Sequence, residues 1–334
     1  MPFRDVLGHH RLITLLTRSV AGASLPPSLL FAGPAGVGKR KTALAVAQAL
    51  NCLTPREGDA CGACAACARI ARGVHPDVSI VEPEDSGAIK IEQVRDVVDR
   101  AAYRPFEGHR RVVIIDNADA LVASAQNALL KTLEEPPLSS VFILVTSRPD
   151  VLLPTVRSRC PELRFRPMSA ADIAAALTAR GMPEREAHAV AATANGSLAD
   201  ALDAAGGERA DARDIAQRVL TRAAAEPEPA RRIEAAKELL TKTGSGGAAD
   251  REQLSSYLRA MASLLRDVEV LATGADVSTL ANADARPALE RLTSTYLRER
   301  GVRAFEAVDR ALVALAAPRN AAVKIVADWL VLQL

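Results

Sequence analysis

A short apolar run, a glycine-rich turn and a lysine follow one another in residues 29–39, which read Leu29-Leu30-Phe31-Ala32-Gly33-Pro34-Ala35-Gly36-Val37-Gly38-Lys39. The last seven residues match the pattern G-x-x-x-x-G-K. In such a loop, between a strand and a helix, backbone N–H groups and the lysine hold phosphate oxygens. The candidate nucleotide-binding residues are therefore Gly33, Gly36, Gly38 and Lys39. A glycine turn without a ligand is the alternative interpretation.

Further apolar runs place this loop in an α/β domain. Runs rich in β-branched residues occur at residues 29–32, 78–81, 112–115 and 141–145. Apolar side chains recur at helical spacing from Ile91 to Ala101 and from Leu121 to Leu133, where Pro136 and Pro137 end the pattern. Continuous apolar strands that alternate with helices predict a parallel sheet with helices on both faces.

The pattern changes after Pro167, where strand signals give way to helical periodicity. We expect three domains: an α/β domain over residues 1–166, a small helical domain over 167–207 and a helical bundle over 208–334. The bundle carries no chemical motif and has an excess of apolar helix faces. This favours a surface for partner subunits, although a purely internal core explains the same pattern.

Two positions bear on magnesium and water at the candidate nucleotide site. Arg40 stands where a Ser or Thr hydroxyl would ligate Mg²⁺, which a guanidinium cannot do. Asp116 ends the apolar run 112–115, the place of the Asp that holds the magnesium shell in P-loop ATPases. Asn117 follows it where ring ATPases usually have a Glu, and an amide cannot accept a proton from the attacking water. A buried strand whose last Asp caps a helix is the alternative.

Four of the five cysteines fall within residues 52–67, at Cys52, Cys61, Cys64 and Cys67. In a chain from a reducing compartment such a cluster indicates metal or catalysis rather than disulfides. The two-residue gaps place successive thiolates on one side of tight turns, and four Cys ligands describe a closed, structural zinc site. A redox-active pair and a catalytic metal are the alternatives.

Charge and composition disfavour several classes of protein. The chain has 42 Lys and Arg residues against 40 Asp and Glu, and only 3% aromatic residues. Neither a broadly basic nucleic-acid surface nor a base-stacking platform is therefore indicated. The chain does not open on a basic stretch with an apolar run, and it contains no run of 18 uncharged apolar residues. We expect a cytoplasmic protein with no membrane partner.

Several segments resemble the AAA+ clamp-loader family of bacterial DNA polymerase III. Besides the glycine-rich loop, these are Phe3-Arg4-Asp5-Val6-Leu7-Gly8, Ala49-Leu50-Asn51-Cys52, Asn127-Ala128-Leu129-Leu130-Lys131-Thr132-Leu133-Glu134-Glu135-Pro136-Pro137 and Ser158-Arg159-Cys160. They cover about half of the chain. The rest resembles the lid domain (167–207) and the collar domain (208–334) of that family in helical character and order only.

The resemblance implies roles for two further positions. Arg159 matches the arginine finger of the family, which reaches the ATP held by a neighbouring subunit; an Arg in a structural ion pair is the alternative. Ala199 stands where the lid motif of the family has an Arg that touches the γ-phosphate. With Arg40 and Asn117, three parts of the ATPase machinery are replaced, as is typical of a subunit that does not hydrolyse ATP.

The resemblance therefore implies a non-hydrolysing clamp-loader subunit that helps to load the sliding clamp onto DNA during replication. Its partners would be a motor ATPase and a delta-like subunit, with the sliding clamp and primer-template DNA contacted through the assembly. Binding of ATP with Mg²⁺ by this chain is disfavoured. The competing hypothesis is an active AAA+ ATPase, supported by the intact Gly33, Gly38 and Lys39. A zinc-dependent nucleic-acid binder is disfavoured by the near-neutral charge.

Overall fold

The computed structural model describes residues 1–84, 87–194, 196–205, 208–226, 228–240, 248–275, 280, 282, 285–296, 299–316 and 322–334. These residues form two compact units. One contains Met1–Glu84 and Ala88–Ala201, and the other contains Leu202–Leu334. The division into three domains stays a prediction, and residues 206–207 at its second boundary lie outside the described residues.

The first unit is built around a five-stranded parallel sheet. Its strands are β1 (Ser28–Ala32), β2 (Val78–Val81), β3 (Arg111–Ile115), β4 (Ser140–Thr146) and β5 (Glu162–Arg164). The order across the sheet is β2-β3-β4-β1-β5, and every neighbouring pair is parallel. The predicted parallel sheet is confirmed. Strand β5 was not predicted, because this short edge strand has a single apolar side chain between Glu162 and Arg164.

Helices pack on both faces of this sheet. The helices of this part of the chain are α1 (His10–Ala21), α2 (Lys39–Asn51), α3 (Ala65–Ala71), α4 (Ile91–Ala101), α5 (Ala123–Glu134) and α6 (Pro154–Arg157), followed after the last strand by α7 (Ala170–Thr178), α8 (Glu184–Thr193) and α9 (Leu198–Ala205). Helix α9 begins in the first unit and ends in the second. Alternate residues of β1 point to opposite faces: Phe31 packs in one core with Val46 of α2, and Leu30 packs in another with Leu129 of α5. Both faces are buried, which explains why the strands are apolar at nearly every position.

Among its described residues the second unit contains helices and turns but no strand. Its helices are α10 (Glu208–Ala225), α11 (Pro229–Ala236), α12 (Ala248–Ala272), α13 (Arg286–Thr293), α14 (Glu299–Ala316) and α15 (Val323–Gln333). Their apolar faces form one core, in which the buried Tyr296 donates its hydroxyl to the Leu220 carbonyl at 3.0 Å. Burial raises the pKa of Tyr296 to about 12. Across the described residues of both units, no helix combines the length and the apolar character needed to cross a membrane.

Candidate functional site

The glycine-rich loop connects β1 to α2, as its motif requires. Gly38 precedes the first residue of α2 with a φ of 98°, in the left-handed region that favours glycine. Gly36 has a φ of 74°, and a Cβ atom there would lie 2.0 Å from the Ser197 Oγ. The loop therefore lies against the chain that leads into α9, and this close approach requires glycine.

Lys39 is turned back onto its own loop. Its Nζ donates to the Gly33 carbonyl at 2.6 Å and to the Pro34 carbonyl. The side chain is buried, and this desolvation lowers the pKa of Lys39 to about 8, although the Asp116 and Asp119 carboxylates oppose the shift. The ammonium group that would meet a phosphate is thus already hydrogen-bonded to main-chain oxygens.

Asp116 lies beside the loop because β3 ends next to β4, which in turn pairs with β1. The Arg40 Nη1 donates to the Asp116 Oδ2 at 3.1 Å and also contacts the Glu82 carboxylate. Burial raises the pKa of Asp116, and the Arg40 guanidinium opposes that shift. A side-chain cation therefore already pairs with the carboxylate that was predicted to hold the magnesium shell.

The three positions that the resemblance describes as replaced, Arg40, Asn117 and Ala199, lie near this loop. Arg40 binds Asp116, and the backbone N–H of Asn117 donates to the other Asp116 oxygen at 3.1 Å. The backbone N–H of Ala199 donates to the Gly36 carbonyl at 3.2 Å. Three positions that are far apart in the sequence thus lie close to the same loop.

Two acidic residues of this site were missed by sequence reasoning. Glu82 directly follows β2, so an acid after a predicted strand was the signal that could have revealed it. Asp119 is buried and accepts from the Thr146 Oγ1 at 2.8 Å and from the Arg148 Nη2 at 3.3 Å. No sequence pattern predicts that contact, because it depends on the 3-10 turn Ala118–Ala120.

The four clustered cysteines converge in the segment between α2 and α3 and in α3 itself. Their Sγ atoms all lie within 4.8 Å of one another, with 4.0 Å between those of Cys52 and Cys64. All four thiols are free, whereas a disulfide needs sulfur atoms about 2 Å apart. Four Zn–S bonds of about 2.3 Å in a tetrahedron place the sulfurs roughly 3.8 Å apart. The cluster therefore fits a four-coordinate metal such as zinc.

Local contacts favour the thiolate form in part of this cluster. The Thr54 hydroxyl, then the N–H groups of Ala63 and Cys64, lower the pKa of Cys61 to about 5. Burial acts in the opposite direction and raises the pKa of Cys67. Arg4 donates to the carbonyls of Ala60 and Cys61 at 2.8 Å each, which joins the N-terminal segment to the cluster. A metal cation would allow all four sulfurs to be deprotonated together.

Arg159 follows α6 and joins the two most specific sequence segments. Its Nη1 donates to the Thr155 carbonyl at 2.9 Å, and its Nη2 pairs with the Glu134 carboxylate near the end of α5. About a third of the side chain is exposed, at 33%. The next residue, Cys160, is buried, and burial raises its pKa to about 11. Arg159 thus makes an ion pair within the chain, and its role as a finger stays a prediction.

Sequence comparison connects this part of the chain to known proteins. Residues 8–169 match the protein family described as "DNA polymerase III, delta subunit". The DNA polymerase III subunit delta-prime of Pseudomonas aeruginosa is 39% identical over 162 residues, which are 48% of this chain and 49% of that protein. The resemblance to the clamp-loader subunits of DNA polymerase III is confirmed, and delta-prime subunits are among the relatives that match. It concerns the first half of the chain, and this chain spans about half the length of the delta-prime relatives that it matches.

Further relatives are similar over comparable lengths. The delta-prime subunit of Bacillus subtilis is 38% identical over 160 residues, 47% of each chain. The tau subunit of DNA polymerase III from Escherichia coli is 35% identical over 206 residues, 60% of this chain and 32% of that protein. Among solved structures, a DNA polymerase III gamma subunit-related protein of Thermotoga maritima is 16% identical in sequence. Its alignment covers 91% of this chain and 99% of the Thermotoga maritima chain, with a TM-score of 0.36. Likeness at that level carries no information on the site.

Proposed function

We propose that this protein is a non-hydrolysing subunit of a DNA polymerase III clamp loader. The assembly would place the sliding clamp on DNA during replication. Support for the class comes from the similarity of residues 8–169 to delta-prime subunits. The observation that carries the non-hydrolysing part is the contact between the Arg40 guanidinium and the Asp116 carboxylate.

That contact bears directly on the chemistry of phosphoryl transfer. Catalysis of this reaction depends on a metal that neutralises phosphate charge and on a residue that orients the attacking water. Mg²⁺ needs oxygen ligands at about 2.0–2.1 Å in an octahedral arrangement. Here no hydroxyl stands at Arg40, Asp116 is already paired, and Asn117 offers no carboxylate. We therefore expect no ATP turnover by the isolated chain.

The same proposal gives Arg159 a role in trans. A planar cation supplied by a neighbouring subunit stabilises the charge that develops on the transferred phosphoryl group. To act in this way, the guanidinium must exchange its contact with Glu134 for a phosphate of the neighbouring motor ATPase. An ion pair of partly exposed side chains is weak, so this exchange costs little.

The remaining parts of the proposal concern zinc and assembly. Cys52, Cys61, Cys64 and Cys67 would hold one structural zinc ion and stabilise the segment between α2 and α3. The helical residues 208–334 would bind the neighbouring subunits, among them a motor ATPase and a delta-like subunit. The sliding clamp and primer-template DNA would be met by the assembly as a whole.

The decisive experiment compares ATP turnover by the isolated protein with turnover by a mixture that also holds the motor ATPase, the delta-like subunit, the clamp and primer-template DNA. We expect no ATP turnover by the isolated protein. The mixture should turn over ATP, and this activity should fall when the protein is left out. The competing function, an active AAA+ ATPase, is favoured by the retained loop geometry and Lys39. Turnover by the isolated protein that Lys39→Ala abolishes would establish the competing function instead.

A further inference from the structure

A pocket of about 540 Å³ opens in the helical unit, lined by residues of α11, α14 and α15. Four arginines line it, one from α11 and three from α14: Arg232, Arg300, Arg303 and Arg310. Among the lining residues, all of which are described, Glu306 has the single carboxylate side chain. The pocket therefore concentrates positive charge in one concave place.

Contacts within the protein leave most of this charge available. Arg303 and Arg310 each pair with a Glu one turn earlier on α14, at 3.5 and 3.8 Å. Exposed pairs of this kind contribute little and exchange readily. Arg232 donates its Nε to the main-chain oxygen of Glu226 at 2.6 Å. Arg300 lies over the Tyr296 ring and donates its Nη2 to the main-chain oxygen of Leu334 at 3.4 Å. Within the described part of the chain, no Asp or Glu side chain pairs with either guanidinium group.

The pocket also has an apolar side. Trp329 and Leu332 of α15 line it together with the arginines. Trp329 is half-buried and packs against the core of the unit, while Leu332 remains 38% exposed. A ligand that filled the pocket would therefore cover apolar surface as well as meet the guanidinium groups. A small inorganic anion would bind the guanidinium groups but would leave the apolar surface of the pocket uncovered.

The distribution of charge distinguishes a peptide from a nucleic acid. Residues 202–334 contain as many acidic as basic side chains, so the positive charge of the pocket is local. Nucleic-acid binding typically relies on a basic stripe that follows many phosphates. A guanidinium grips a carboxylate or a phosphate equally well through two parallel N–H···O bonds, so it is the local extent of the charge and the apolar side of the pocket that favour a peptide.

We infer that this pocket binds an acidic peptide segment of a partner protein, in which consecutive Asp or Glu side chains flank an aliphatic or aromatic side chain. The carboxylates would pair with Arg232 and Arg303, and the apolar side chain would cover Trp329 and Leu332. The inference goes beyond the proposed function and does not depend on it.

Trp329 supplies the test, because it is the single tryptophan of the chain and lines the pocket. The full-length protein is titrated with a blocked peptide of four glutamates and one leucine, and Trp329 fluorescence is recorded. We expect a saturable change that weakens with added salt. A peptide with glutamine in place of glutamate should bind at least about tenfold more weakly, since it loses the charged hydrogen bonds to the guanidinium groups.

Two variants and a control locate the binding. Arg232→Gln and Arg303→Gln should each weaken the glutamate peptide by about tenfold. Arg286→Gln removes an exposed arginine of α13 that pairs with Glu290 outside the pocket, and it should leave the affinity unchanged. The inference is overturned if the peptide causes no saturable change in the wild type, or if Arg286→Gln weakens it equally. It is also overturned if polyphosphate or a single-stranded oligonucleotide binds more tightly than the peptide.

Discussion

The glycine-rich loop and the cysteine cluster carry the two plainest chemical motifs of this chain, and their surroundings differ in one respect. At the loop, the charged side chains already have partners within the protein: Lys39 donates to the carbonyl of Gly33, and Arg40 pairs with Asp116. At the cluster, four sulfur atoms of one kind converge within 4.8 Å, and all four thiols are free. The first site is filled by the side chains of the protein, whereas the second has the geometry of a metal site.

This difference shows what a motif determines and what it leaves to the rest of the molecule. The spacing of glycines and cysteines fixes which atoms are brought together by local turns. Whether those atoms can take a ligand depends on side chains from elsewhere, such as Arg40 meeting Asp116 across the carboxyl edge of the sheet. The predictions below change one member of each set and ask whether the two sites respond as this difference requires.

The largest effect is expected at the cysteine cluster. Wild-type protein purified under reducing conditions should contain one zinc ion per chain, and Cys64→Ser should lose it. Structural zinc sites contribute about 10–16 kcal/mol of apparent binding free energy, so the segment 52–67 should also become sensitive to proteases. Metal content is measured by mass spectrometry, and cleavage is mapped by peptide analysis.

Cys160→Ala is the matched control for that experiment, because Cys160 is buried in the core on one face of the sheet, outside the cluster. It should retain the zinc. If wild-type protein contains no zinc, the four thiols are a packing feature and the contrast between the two sites disappears.

The next effect is expected in the assembled complex. If the loop of this protein is silent, its contribution to ATP chemistry lies in Arg159, and Arg159→Ala should slow DNA- and clamp-stimulated turnover at least about tenfold. Arginine fingers contribute about 10³- to 10⁵-fold elsewhere. Arg159→Lys should rescue poorly, because an ammonium group lacks the planar fork that grips two phosphate oxygens. Steady-state ATPase rates of reconstituted complexes give the answer.

Arg157→Ala is the control, since Arg157 is exposed and lies two residues away. It should leave the rate unchanged, and both variants should retain zinc and join the complex. Equal rates for wild type and Arg159→Ala would reduce Arg159 to the partner of Glu134 that the structure describes.

Much of the fold could be predicted, because burial on both faces of a parallel sheet leaves a local signal. The apolar runs at 78–81 and 112–115 became β2 and β3, and the pattern before Pro136 became α5. The strand order and β5 could not be predicted. Pairing between distant strands has no local pattern, and β5 is a three-residue edge strand with charged ends.

The same limit applied to the candidate site. The residues of the loop and the cysteine cluster follow from spacing, since each set is close in sequence. Glu82 and Asp119 were missed, because their relation to Arg40 and Lys39 exists only after β2 and β3 lie side by side. Arg40 was predicted to disfavour Mg²⁺ binding because it lacks the hydroxyl group of Ser or Thr. The structure adds that it pairs with the carboxylate itself.

A moderate effect is expected when the loop is made more like an ATPase. Arg40→Thr supplies a hydroxyl and releases Asp116, so affinity for a fluorescent ATP analogue in the presence of Mg²⁺ should rise about tenfold, a gain of about 1.4 kcal/mol. Without Mg²⁺ the gain should vanish. Lys41→Thr, which changes an exposed lysine of the same helix, should bind like the wild type. An unchanged affinity in Arg40→Thr would mean that the pairing with Asp116 is not what excludes the metal.

The smallest effect concerns the buried ammonium group of Lys39. Burial lowers the pKa of this group from 10.5 to about 8. Below pH 8 the folded and unfolded states both carry the proton, and the folded state bears the cost of desolvation. Between about pH 8 and 10.5 the folded state releases the proton while the unfolded state keeps it, so the free energy of unfolding should rise with pH.

The variant Lys39→Met tests this expectation, because methionine cannot titrate and the variant lacks this contribution. The Tm of the wild type minus the Tm of Lys39→Met, each measured by circular dichroism, should therefore rise from pH 7.5 to pH 9.5. An increase of roughly 2–4 °C corresponds to about 1 kcal/mol. A difference that stays constant or falls would show that Lys39 remains charged over this pH range. The hydrogen bonds to Gly33 and Pro34 would then raise the pKa of Lys39 by at least as much as burial lowers it.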